Sequence, residues 1–529
     1  MLIKTNRPPT DQERAIIQES IPPTNAKLRV VEAQISETMT HIQALKSQIH
    51  ETEKKLRHLR NEEAAILETF ANHRRIFSPF RNLPADVLRE ICVACVQVDM
   101  PTLSYRTTPL PYILAQISST MRHIALTTPF LWASMNVSFS PHKRLDKWDY
   151  LVLASKAIGW FERAGSLSLT VFMQDPNPEF LLLKNVQSDP STILFDTLFS
   201  YSNRWRRIEF ESECASAIIS APIIRIAALT ADDVPLLESI TLRLKSGGSK
   251  FCNNTLLAGP KLTRLALDIY RDALPGYIGV TDFIQANWAN LTSVTLGHCS
   301  INEVARVLRQ TRRLVFCHIY ADLRLENPMA EIKLPFLKTL RVDDQGPGPS
   351  SSGAHSVFDS ISAPVLSTFK IHAVYLDISL AGFFKRSPDI QELALCRFRN
   401  DGEESLAVVA ELLHYCPSLS TLNLRCLGSI VSRLPDANRF LLAFVEDGGA
   451  GVICPCLQEF KFVGGIKCSL QTLRQFLEVK QRGTAPMRAL LPWKRVVIEM
   501  SWTDNSERYQ MLELVSQKKA AGLDIIMYT

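Results

Sequence analysis

Long hydrophobic runs are missing from this 529-residue sequence: none approaches the roughly 20 consecutive apolar residues that a membrane-spanning helix needs. The opening residues, MLIKTNRPPTDQER, lack the apolar stretch of a secretory signal. Charge of one sign is scarce as well. With 59 Lys and Arg against 53 Asp and Glu the formal charge is only +6, which speaks against a nucleic-acid binder, where basic residues concentrate on one face. The 12 cysteines do not make a disulfide framework. Most, such as Cys214, Cys299, Cys317 and Cys396, sit singly inside apolar segments, as small buried hydrophobes do in a reducing compartment. The expected location is cytoplasmic or nuclear, with no membrane and no nucleic acid as partner.

Signs of chemistry are also sparse. The 11 histidines are scattered, no H-E-x-x-H or G-x-S-x-G occurs, and the glycine pairs at 247–248, 448–449 and 464–465 complete neither a phosphate loop nor a dinucleotide fingerprint. Cys92 and Cys95 form a C-x-x-C and Cys454 and Cys456 a C-x-C, but no second ligand pair lies at zinc-finger spacing, so both read as packed thiols. Arg204-Trp205-Arg206-Arg207 reads as the start of a strand with exposed flanking arginines. No catalytic, cofactor-binding or metal-ligating residue is expected, and the chain is not expected to be an enzyme.

What is present is length and pattern. The chain exceeds one compact core, so about two to four folding units are expected. Hydrophobic residues at 46% and charged residues at 21% are ordinary for a soluble globular protein. Residues 1–27, with proline pairs at Pro8-Pro9 and Pro22-Pro23, read as a disordered leader. From Leu28 a heptad sets in. Leu28, Ile35, Ile42, Ile49, Leu56 and Phe70 share one seam position, and Val31, Leu45, Leu59 and Ile66 the other, with Thr38, Thr52 and Glu63 as exceptions. That period keeps one apolar stripe facing a partner helix, and no Gly or Pro occurs from Ala26 to Ser78, so a coiled-coil helix is expected over 28–76. Lys54, Lys55, Arg57 and Arg60 are offset by Glu51, Glu53, Glu62 and Glu63 and read as a solvated helix face. A second copy, another protein, or the same chain folding back would each fill the seam.

The stretch SPFRNLPADVLREI, Ser78 to Ile91, follows directly. Pro84 suits a first helical position, Asp86 suits the helix dipole, and Val87, Leu88, Ile91 and Cys95 fall on one helical face. A second helical pattern, Ile113 to Leu126, carries Leu114, Ile117, Met121 and Ile124. It ends in LTTPFLW, where Pro129 stops the helix and Leu131 and Trp132 present two large apolar groups.

From about Trp160 the texture changes to short apolar strands of one form, L-x-x-L-x-L, often after a proline. The first apolar positions are Leu237, Leu262, Leu291, Leu314, Leu337, Leu366, Ile390, Leu419 and Leu457, spaced by 25, 29, 23, 23, 29, 24, 29 and 38 residues. All but the last spacing fit leucine-rich repeats of about 20–29 residues. One unit, Leu291, Val294, Leu296, Cys299 and Ile301, matches the long form of that motif. Each such unit buries its apolar face only against the next, so a stack is required. Further strand-like pieces lie at Ser166–Met173 and Arg204–Phe210, and the chain ends in a strand–helix–strand pattern, with Asp504 and Glu507 as a helix cap. GPGPSSSG, 346–353, reads as a disordered loop within one unit.

The order of parts resembles an F-box protein. Leu83, Pro84, Asp86, Val87, Leu88 and Ile91 match the start of the F-box, and Ile117, Ser118, Arg122, Ile124, Ala125, Pro129, Leu131 and Trp132 its end. The usual tryptophan before the arginine is Met121 here, and the insertion from about Val98 to Pro111 is longer than in a compact F-box. The layout is similar to the expanded F-box families of mushroom-forming fungi, with a coiled coil before S-P-x-R-x-L-P, an E-R-x-G-S-L stretch (Glu162, Arg163, Gly165, Ser166, Leu167), an R-W-R strand and a degenerate leucine-rich array.

The resemblance implies an α/β chain: a coiled-coil helix at 28–76, a small all-helical F-box-like module at 77–136, and an irregular leucine-rich-repeat solenoid at 160–529. It further implies docking on the Skp-type adaptor of a cullin–RING (SCF-type) ubiquitin ligase core through Leu83, Pro84, Val87, Leu88, Ile91, Leu131 and Trp132. The array would bind a target protein to be ubiquitinated. A coiled-coil and repeat scaffold with no ligase role is the alternative.

Overall fold

A computed structural model describes residues 7–76, 83–105, 107–139, 145–174, 190–212, 221–245, 255–269, 286–325, 328–344, 355–372, 380–399, 403–427, 436–445, 453–480, 490–500 and 505–528. The expected loop at 346–353 and the expected cap residue Asp504 lie outside them. The chain divides into two compact units, Met1–Val87 and Leu88–Thr529.

The first unit is dominated by one helix, α1 (Asp11–Ile76), of 66 residues. It begins ahead of Leu28 and contains Pro22 and Pro23, so residues 11–27, expected as a disordered leader, are helical. The reason is local and visible in T-D-Q-E. The Thr10 backbone N–H donates to the Glu13 carboxylate at 2.9 Å, and the Glu13 N–H donates back to the Thr10 hydroxyl at 3.4 Å. Arg7 clamps the same carboxylate at 2.6 and 3.0 Å. This reciprocal cap satisfies amide groups that a helix start otherwise leaves unpaired. Every expected seam residue of α1 is exposed, from Leu45 at 44% to Phe70 at 66%.

In the second unit, fifteen strands form a single sheet whose strand order is the order of the chain. Every pairing within it is parallel. A parallel pair cannot be joined by a tight hairpin, so each strand returns through a helix, a short 3-10 turn or a longer connection before the next is laid down. One strand per unit, never crossing, is a solenoid. The nine L-x-x-L-x-L segments supply nine consecutive strands, from Ser239–Leu244 to Glu459–Ile466. Their motif positions are buried throughout: Leu291, Val294 and Leu296 are at 0%, and so are Leu419, Leu422 and Leu424. The alternate residues face outward, as the two-residue period of a strand requires.

The filling behind the sheet changes along the stack. Aliphatic side chains dominate around Leu291, whereas Phe358, Phe369, Phe383 and Phe384 pack with ring centroids 5.2–5.9 Å apart. A further aromatic group follows around Phe460, Phe476 and Trp493. The helix Ile301–Gln310 opens on a complete capping box between Ser300 and Glu303. Strand, helix and strand close the chain as expected, at Arg495–Met500, Asn505–Ala520 and Asp524–Tyr528.

The array begins earlier than its sequence pattern suggests. Its first two strands, Thr102–Leu103 and Ser134–Val137, come from within the segment expected as an all-helical module. The proline-rich insertion at 98–111 therefore supplies the first rung of the sheet, and module and array pack as one unit from Leu88 onward.

Candidate partner-docking surfaces

The helical segment consists of α2 (Ala85–Val98), α3 (Leu110–Ile117) and α4 (Ser119–Thr127), then a 3-10 turn at Pro129–Trp132. The single helix expected over 113–126 is split at Ser118, which turns extended and accepts a hydrogen bond from the Met121 N–H at 3.1 Å. Met121 is 1% exposed and lies 4.0 Å, sulfur to sulfur, from the fully buried Cys92. Burial, reinforced by the neighbouring Cys95, pushes the Cys92 thiol up, so Cys92 is a packed thiol of the core.

The seven expected anchors divide. Pro84, Val87 and Ile91 are exposed and Leu83 is half-buried. Val87, Ile91 and Val98 are spaced four and seven residues apart on α2, and all three are exposed, Val98 at 89%. Ile113 and Ile117 stand exposed four apart on α3. Leu88, Leu131 and Trp132, in contrast, are at 3%, 0% and 0%. These three belong to the protein's own interior, which corrects their reading as partner contacts.

Trp132 shows why. Its indole N–H donates to the Ala125 carbonyl at 2.7 Å, and its ring packs edge-on against Tyr112 and Trp160, with centroids 5.0 and 4.8 Å away. The Arg163 guanidinium lies 5.1 Å from the same ring and donates to the Gly159 carbonyl and the Tyr112 hydroxyl. Arg163 ends α5 (Lys147–Arg163), and Gly165, at φ 58°, takes the left-handed turn that ends the helix without a Cβ penalty. Arg204 then donates to the Leu167 and Phe161 carbonyls. The E-R-x-G-S-L and R-W-R stretches are thus the fastening between helices and array.

The outward face of the sheet carries a second cluster, which sequence reasoning missed because its members lie far apart in the chain. Register sets Tyr320, Asp343, His372 and Cys396 side by side on four adjacent strands. The Asp343 carboxylate bonds His318 Nε2 at 2.7 Å through one oxygen and His372 Nδ1 at 2.6 Å through the other. Burial works to raise this carboxyl, but the His318 hydrogen bond and the His372 charge outweigh it and hold it below the usual range. The Tyr320 phenol is pushed up by burial and by the Asp343 and Asp268 charges. On the flank, Gly297 leaves room for the Asp268 carboxylate, into which any Cβ there would run.

Asp343, His372 and Cys396 have the composition of an acid–base–nucleophile row, but the geometry does not activate it. Among the described residues no hydrogen bond joins Cys396 to His372, and burial raises the Cys396 thiol. Nor is any group of three or more His, Cys, Asp or Glu placed to hold a metal among the described residues. No described helix is long and apolar enough to cross a membrane. The face presents fixed charges and hydrogen-bonding groups.

No family model matches the chain, and no curated protein matches it. Among solved structures it is similar to the crystal structure of the mouse RP105/MD-1 complex, at 14% identity and a TM-score of 0.35. The likeness covers 73% of this chain and 58% of that one, so the chain spans less than two thirds of that protein's length. The repeat architecture described above rests on the strand pairing.

Proposed function

We propose that the chain is the substrate-recognition subunit of a cullin–RING (SCF-type) ubiquitin ligase. On this reading the helices around Pro84 to Ile117 dock on a Skp-type adaptor, and the repeat array holds a target protein. The chain supplies proximity and orientation, and the transfer chemistry belongs to other subunits, in the cytoplasm or nucleus. The observation that carries the reading is the exposed apolar row Val87, Ile91 and Val98 on α2, in a chain that also carries a fifteen-strand array. Apolar groups left in water on one helix face are what a partner interface requires.

The alternative, a coiled-coil and repeat scaffold without ligase role, is favoured by one observation: Leu88, Leu131 and Trp132 face inward, which leaves a smaller surface than the resemblance implies. Co-purification with a Skp-type adaptor separates the two. The informative variant is Val87→Asp with Ile91→Asp, since both side chains are exposed, at 39% and 36%. An adaptor complex formed by wild type and lost in a variant that melts like wild type supports the ligase reading. Wild type that purifies folded and free of adaptor defeats it.

A further inference from the structure

The last four strands of the array, Thr421–Leu427, Glu459–Ile466, Arg495–Met500 and Asp524–Tyr528, enclose a cleft of about 570 Å³ on the outward face of the sheet. That volume is within the range of sites for small ligands and peptide side chains. Register fixes its floor. Asn423, Lys461, Val497 and Ile526 stand side by side in one row, and Arg425 lies beside Val463 in the next. The side formed by the first two strands is therefore polar and cationic, and on the other Val497, Ile526 and Tyr528 form an apolar strip flanked by Arg495 and Glu499.

The polar side has unmet needs. Among the described residues, neither Arg425 nor Lys461 takes part in an ion pair or a hydrogen bond, although they are diagonal neighbours of like charge. Arg495, by contrast, is paired with Asp524 at 3.3 Å, and Glu499 accepts the Gly464 N–H at 2.9 Å. Beside Lys461, the Asn423 side-chain oxygen is buried without a hydrogen-bond partner. Leaving such an acceptor unpaired is unfavourable, and like charges on neighbouring strands repel. An anion between the two cations and an N–H donor to Asn423 relieve both. A peptide carries both groups within a few ångströms, and its side chains supply an apolar group for Val497 and Ile526.

We propose that this cleft binds an acidic linear segment of a partner protein. A single carboxylate lies between Arg425 and Lys461, a backbone N–H donates to Asn423, and an apolar side chain rests on Val497 and Ile526. Arg495 is paired with Asp524, so Arg425 and Lys461 face Glu459 and Glu499, and a cleft this close to neutral suits one negative charge better than a phosphate dianion. The inference rests on the reading of the array as the binding part of the chain, and it does not depend on the adaptor.

The test uses the full chain and fluorescein-labelled twelve-residue peptide pools, with Glu at one fixed position and Leu two residues away. Matching pools carry Gln or phosphoserine in place of Glu, or an amidated in place of a free C-terminus. Binding of the Glu pool at least about tenfold tighter than the Gln pool, lost in Arg425→Gln and in Lys461→Gln and weakened by salt, is the expected result. The amidated pool separates a side-chain carboxylate from a terminal one as the bound group. No binding of any pool, equal binding of Glu and Gln pools, or unchanged binding by the variants overturns the proposal. Tighter binding of the phosphoserine pool overturns the carboxylate assignment. Adaptor co-purification with the same variants, whose positions are remote in sequence from α2, keeps a failure of the ligase reading separate from a failure of this one.

Discussion

Trp132 and Trp160 meet edge to face with ring centroids 4.8 Å apart, and the two residues join the end of the helical segment to the first helix of the array. Both are fully buried. Trp132→Ala removes the contact, the hydrogen bond to Ala125 and the ring under Arg163, and is expected to cost about 3–5 kcal/mol. Denaturant unfolding followed by fluorescence checks this. A loss below about 1 kcal/mol would remove Trp132 from the core of the fold.

Asp343 ties two strands through His318 and His372. Asp343→Asn removes a carboxylate that accepts two short hydrogen bonds and is expected to destabilise the array by about 1–3 kcal/mol near neutral pH. The sign with pH follows from its lowered pKa. The unfolded chain takes up the proton first as pH falls, so the contribution is complete above the ordinary carboxylate value and disappears as pH drops through the folded one. Wild-type and Asp343→Asn stabilities should therefore converge in acid, and parallel curves down to the lowest accessible pH would contradict the assignment.

Lys480 gives a slope of the same sign in the alkaline range. It is buried, and its ammonium donates to the carbonyls of Cys454, Pro455 and Leu457 beside the Trp493 ring. Burial pushes it down to about 8. Between that value and the ordinary one near 10.5 the unfolded chain holds the extra proton, so this group makes stability rise with pH across that window. Lys480→Met is expected to flatten the stability profile between pH 8 and 10.5. A slope unchanged in the variant would assign it to other groups.

The exposed seam of α1 is suited to a second copy of the same helix. Light scattering on the full chain is expected to give a dimer, and Ile42→Glu with Ile49→Glu a monomer, because charges at seam positions oppose helix pairing. A wild-type monomer would leave the seam to a different protein.

Much of the array could be read from the chain because its determinants are local. In Leu419-x-x-Leu422-x-Leu424 the spacing alone says which side chains turn inward, and all three do. The strands Thr102–Leu103 and Ser134–Val137 were not legible for the opposite reason: two or four residues carry no usable period, and only pairing with a distant neighbour makes them strands. Leu131 and Trp132 show a different gap. Their apolar character was plain, but sequence does not say whether an apolar group meets a partner or its own chain, and here Trp160 is the answer. The terminal cleft was invisible because Asn423, Lys461, Val497 and Ile526 become neighbours only through register across four repeats. The cap at Thr10 and Glu13, by contrast, was written in T-D-Q-E.

The strand Thr102–Leu103 turns the array into a ruler. Since the first rung comes from among the helices, the helical segment and the far cleft belong to one continuous sheet. Fifteen rungs at about 4.8 Å give a contour of about 70 Å from one end to the other. Reach is then counted in whole repeats. Deleting one unit midway would draw the cleft about 5 Å inward and rotate it by one step of the stack, with every side chain at either end unchanged.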